Sequence, residues 1–84
     1  MKIYFHPRFR VSYQKLSPTL KRKAEKQESI FRANPFTRQL KTHKLHGRLK
    51  KLWSFSVDGK NRILFEFTGG DVIFLDIGDH DLYR

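Results

Sequence analysis

The chain has 84 residues, 38% of them hydrophobic, and its 18 Lys+Arg against 8 Asp+Glu give a formal net charge of +10. That length and apolar content predict a single domain over 1–84 with a small core, and exclude a disordered polyelectrolyte. The absence of cysteine excludes a disulfide framework, a thiolate nucleophile and a Cys-based zinc site, while the basic excess points to a polyanion or an acidic protein as partner.

Taken in order, Lys2-Ile3-Tyr4-Phe5 predicts a short strand closed by His6-Pro7. Its apolar run is too short for a secretory signal, and no window approaches a membrane span, so a soluble cytoplasmic protein is expected. Pro7 suits a first helical turn. Phe9, Tyr13 and Leu16 then recur at i, i+4, i+7 on one helical face. Ser17 caps a second helix with Pro18 in its first turn. That helix runs to about Ala33 and carries Leu20, Ala24, Gln27 and Phe31 on its core stripe. Asn34-Pro35 ends it, with Asn34 expected in the left-handed cap that asparagine tolerates. Two helices joined so tightly predict an antiparallel hairpin.

The following "FTRQLKTHKLHGRLKK" has little periodicity and reads as an irregular basic connector. From Leu52 the period changes to two. Trp53, Phe55 and Val57 alternate with Ser54 and Ser56, and after the Asp58-Gly59 turn signal Ile63, Phe65 and Phe67 alternate with Arg62, Leu64 and Glu66. A second turn at Thr68-Gly69-Gly70-Asp71 leads into VIFLDI, an unbroken apolar run expected to be covered on both faces. The order is β-α-α-β-β-β. It predicts an α+β domain in which the helical hairpin covers one face of an antiparallel sheet. The opposite face, with Ser54, Ser56, Arg62 and Glu66, is left open for a site.

The element order, "ANPF" closing the second helix, "LKTHKLHGRLKKLWSFSV", "NRILFEF" and "LDIGDHDLYR" together resemble the RelE/ParE toxin superfamily, in particular its YafQ-like and RelE-like mRNA interferases. The resemblance spans the whole chain. It implies the toxin of a type II toxin–antitoxin pair: a ribosome-dependent endoribonuclease that cleaves mRNA by attack of the RNA's own 2′-hydroxyl. Such chemistry needs a base, an acid and cations at the phosphate, and no metal or other cofactor. The implied partners are a cognate antitoxin, the ribosome and mRNA, with no membrane, and with homo-oligomers formed only through the antitoxin complex. Two other readings stay open: a ParE-like gyrase inhibitor acting by binding, and a non-enzymatic basic RNA-binding module.

The resemblance also marks positions. His80 matches the histidine of the family's "G-x-H" ending, and an imidazole titrating near neutrality can give or take a proton there; as a tail histidine it could equally pair with Asp79 or Asp81. Tyr83 is the nearest match to a terminal aromatic that stacks on a base or holds a proton-transfer position. Arg62 corresponds to a superfamily arginine aimed at the scissile phosphate, a permanently charged fork suited to two phosphate oxygens; its alternative is a pair with Glu66. His43 corresponds to a catalytic histidine of YafQ-like members. With His46 it also has half of a metal-site spacing. The catalytic set is thus His43, Arg62, His80 and Tyr83, and Lys41, Lys44, His46, Arg48, Lys50 and Lys51 form an RNA-binding strip by simple charge steering. Trp53 interrupts that strip, either as a stacking platform or as core. Ser56 and Lys60 stand where relatives usually carry proton-transfer groups.

Overall fold

In a computed structural model of the chain, residues 1–49, 51–79 and 82 are described, Leu49 through its backbone alone. Among them five strands form one sheet: β1 (Ile3–Phe5), β2 (His43–Lys44), β3 (Trp53–Ser56), β4 (Arg62–Thr68) and β5 (Asp71–Gly78), in the spatial order β1-β5-β4-β3-β2. Two helices, α1 (Pro7–Gln14) and α2 (Pro18–Ala33), lie between β1 and β2 in the chain. No helix is long and apolar enough to cross a membrane, among the described residues.

Both helices start where the sequence signals them. The His6 ring nitrogen Nδ1 accepts the backbone N–H of Arg8, and the Ser17 hydroxyl accepts that of Leu20, so each cap satisfies one donor that the first turn leaves open. Asn34 differs from expectation. Its backbone is extended, at φ −161° and ψ 110°, because Pro35 sterically bars the helical region to the residue before it. Its side chain instead accepts the Phe36 N–H and closes a tight turn.

The meander β3-β4-β5 is antiparallel as expected. The sheet as a whole is mixed, however, because β1 pairs with β5 in parallel, Ile3 opposite Val72 and Phe5 opposite Phe74. A lone strand's sequence does not encode its direction; the intervening helical hairpin provides the long crossover that parallel pairing requires. β2, inside the supposedly irregular connector, is the second departure: His43 pairs with Ser54 and Lys44 with Trp53. The connector also sends Leu40, fully buried, into the core.

That core lies between the sheet and the helices. Phe31 of α2 stacks on Phe55 with ring centroids 4.7 Å apart and meets Phe65 and Phe74 edge-on at 5.0 and 5.5 Å. All four rings are fully buried. Aromatic pairs of this kind contribute roughly 1 kcal/mol each beyond the area they bury. In β5 strict alternation from Val72 and Phe74 would drive Asp76 into this core. A register shift opposite Leu64/Phe65 leaves Leu75 unpaired, so that Ile77 is buried instead. Asp76 then accepts the Ser12 hydroxyl at 2.6 Å and ties β5 to α1. β5 is therefore covered fully on its core face, while Ile73 and Leu75 opposite are half-buried.

Two polar groups hold the helical layer. The Tyr13 hydroxyl donates to Glu25 at 2.9 Å, joining α1 to α2, and burial together with that carboxylate pushes the phenol above its usual range. The Gln27 side-chain amide donates to the Ser56 carbonyl at 2.9 Å and fixes α2 over the β3–β4 turn.

Candidate active site

The face of the sheet away from the helices is built by alternation. Side chains of Ser54 and Ser56 on β3 and of Arg62 and Leu64 on β4 share it, and β2 adds His43 through its pairing with Ser54. Arg62 opens β4 opposite Ser56 on one side and Gly78 on the other. His43 stands two strands away and two residues along. At roughly 4.8 Å between strands and 3.3 Å per residue, their Cα atoms lie about 12 Å apart.

His43 is exposed, yet its ring is held. Nδ1 lies 3.0 Å from the Lys41 carbonyl and Nε2 3.5 Å from the Ser54 hydroxyl. A carbonyl only accepts, so Nδ1 carries a proton and Nε2 is the nitrogen that exchanges one. The carbonyl is aimed there by an unusual backbone: Lys41 sits in the left-handed region, at φ 52° and ψ 39°. It is the only non-glycine with positive φ among the described residues, a conformation that costs a branched-at-Cβ or long side chain about 1 kcal/mol. Nothing in the sequence flags it, because lysine is not a residue that seeks this region.

The remaining positions divide. Arg62 is half-buried and has no carboxylate partner among the described residues; the pairing with Glu66 does not form. Lys41, Lys44, His46, Arg48 and Lys51 are exposed along the connector and β2, and alternation turns Lys44 to the opposite face from His43. His43 and His46 gather no third His or carboxylate ligand among the described residues. His80, Tyr83 and Lys50 lie outside the described residues. Arg62 does pair with Gly78, and His80 follows Gly78 by two residues in the sequence.

One expectation is corrected. Ser54 and Ser56 do not lie on an open surface: Ser54 is fully buried and Ser56 nearly so. Ser54 is small and His43 leans over it, while the Ser56 hydroxyl turns in to donate to the Asp58 carbonyl at 2.8 Å. Ser56 is thus a structural part of the turn. Lys60 is exposed in the same turn, where its N–H and that of Asn61 donate to Asp58 Oδ1 at 2.8 and 2.7 Å. Burial works against the Asp58 charge, but these N–H groups, the Asn61 side-chain amide and nearby Lys23 outweigh it and hold the carboxyl below its usual range.

The surrounding field is positive. Between described residues the sole ion pair is Arg32–Glu28 within α2, so most of the basic excess is not neutralised internally.

No protein-family model matches the sequence, and no curated protein matches it by sequence. Its structure, by contrast, closely matches solved ones. The YoeB/ParE toxin from Agrobacterium tumefaciens superposes with a TM-score of 0.80 at 18% identity, covering 95% of this chain and 99% of that one. YafQ from E. coli strain BL21(DE3) gives 0.80 at 16% identity, over 98% and 96% of the two chains. The E. coli DinJ–YafQ toxin–antitoxin complex gives 0.78 at 16%, over 96% and 93%. Two helices against a five-stranded mixed sheet, matched end to end by these proteins, are the fold of the RelE/ParE-type toxins.

Proposed function

We propose that the protein is the toxin of a toxin–antitoxin pair, a single RelE-like domain acting as an mRNA endoribonuclease on the ribosome. The observation that supports this reading best is the shared face of His43 and Arg62, with Nδ1 of His43 tied to a carbonyl so that Nε2 faces the site. The fold likeness to toxins, one of them solved with its antitoxin, supports the same class.

The chemistry follows from the groups. Nε2 of neutral His43 takes the proton of the RNA 2′-hydroxyl as its oxygen attacks the adjacent phosphorus. Arg62 holds the non-bridging oxygens as negative charge builds on them. The P–O5′ bond breaks, leaving a 2′,3′-cyclic phosphate and a 5′-hydroxyl whose proton comes from a general acid, a role for which His80 and Tyr83 are the candidates. Every bond is made and broken between RNA atoms, so the step balances with proton transfers alone. Lys41, Lys44, His46, Arg48, Lys50 and Lys51 steer the polyanion to this face, and an antitoxin with a largely acidic segment would occupy the same field.

The test is expression of wild type, His43→Ala and Arg62→Ala in cells, followed by mapping of mRNA 5′ ends and of plasmid supercoiling. Cleavage at codon-related positions is expected for the wild type and about 100-fold less for either variant. Intact mRNA with altered supercoiling would replace this reading by gyrase inhibition. Undiminished cutting by Arg62→Ala would remove Arg62 from the mechanism.

A further inference from the structure

Around the β2 edge from His43 lies a hollow of about 370 Å³, lined by Lys44, Lys51, Trp53, Glu66 and Phe67. Phe36 borders it. Although large and apolar, Phe36 is 57% exposed, held out by the turn that Asn34 closes. Its ring lies 5.8 Å from Trp53, edge-on, and 6.0 Å from Phe67 at a 26° interplanar angle. Trp53 and Phe67 are only half-buried, because α2 ends at Ala33, before it can cover this corner of the sheet. A core would close such an aromatic corner with aliphatic side chains; here two lysines line it.

Flat rings flanked by lysines are the composition that stacks a nucleobase and holds its phosphate, and the volume is that of a small-ligand site. Lys44 points to this side of β2 and its neighbour His43 to the other. A single strand crossing the edge therefore reaches both faces.

We propose that this hollow is a nucleobase-stacking subsite for single-stranded RNA. The inference rests on the reading of the protein as RNA-binding and not on cleavage. Trp53 is the only tryptophan of the chain, so its fluorescence reports on the hollow directly. Titration of the full chain with GMP, UMP and a hexameric single-stranded RNA at low salt is expected to quench that emission saturably. Phe36→Ala and, separately, Lys51→Ala should weaken the quenching titration about tenfold. RNA binding with no change in Trp53 emission, or with Phe36→Ala and Lys51→Ala like wild type, overturns the subsite and leaves the nuclease reading intact. Saturable quenching by a wild type that cuts no RNA overturns the nuclease and leaves the subsite. Quenching by an acidic helical peptide but not by RNA overturns the subsite in favour of a protein partner.

Discussion

The two faces of this sheet are made by alternate residues of the same strands, yet they differ in almost every physical respect. One holds Phe55, Phe65 and Phe74 against Phe31, rings within 4.7 to 5.5 Å of the helix ring and no water between them. The other holds His43 at the exposed edge, two small serines and a half-buried arginine. Packing on the first face is dense enough that losing one side chain is felt throughout. The second is buried at Ser54, Ser56 and Leu64 and open only toward its His43 edge. In a domain with a core this small, separating stability from chemistry by the two-residue period is the cheapest arrangement available: the groups that must stay solvated and charged never compete for the interior.

That contrast can be attacked in order of expected effect. Phe31→Ala, at the centre of the ring cluster, should cost about 4 kcal/mol, enough to leave a chain of this size largely unfolded; a retained cooperative urea transition would mean the core is not where stability resides. Asp58→Ala removes the acceptor that organises the β3–β4 turn and should cost about 2 kcal/mol at neutral pH. Its sign with pH is fixed. The folded-state carboxyl titrates below its unfolded value of about 3.9, so its contribution is present above that pH and is lost as pH falls through the lower folded value. The difference between wild type and Asp58→Ala should therefore shrink in denaturation curves below pH of about 4; a difference that stays constant would assign the loss to turn geometry alone. His6→Ala deletes the α1 cap and should lower the melting temperature by about 6 °C. Arg62→Ala, on the solvent side, should shift stability by no more than about 0.5 kcal/mol while removing the proposed activity. A large destabilisation there would show that the two faces are not independent.

What the sequence disclosed tracks the length of its patterns. Seven residues of alternation identify β4 and place Arg62 on the outer face without reference to any fold. Helix α2 is equally plain from Ser17-Pro18, its stripe and Asn34-Pro35. β2 was hidden because two residues, His43 and Lys44, have no period, and pairing with β3 rather than propensity makes them a strand. Leu40 looked like one more connector residue, since a single apolar side chain among lysines carries no signal of burial. The left-handed Lys41, which aims a carbonyl at His43, was invisible for the opposite reason: the residue type argues against the conformation that the fold imposes. Alternation alone leaves Ser54 on an open face; it is buried because β2, a strand with no period of its own, pairs alongside and brings His43 over it.

The parallel pairing of β1 with β5 has a consequence for how the molecule comes into being. The strand at the middle of the β1-β5-β4 triplet is the last of the five described strands in chain order, and it supplies Val72, Phe74 and Ile77 to the core. Its partner Ile3 lies almost the whole chain away. No fragment that stops short of Asp71 can close the interior, and contacts so distant in sequence form late and slowly. During synthesis the helical hairpin can emerge and fluctuate, but the assembled sheet waits for β5. The sheet that carries His43 and Arg62 is thus acquired all at once, only after β5 has been joined.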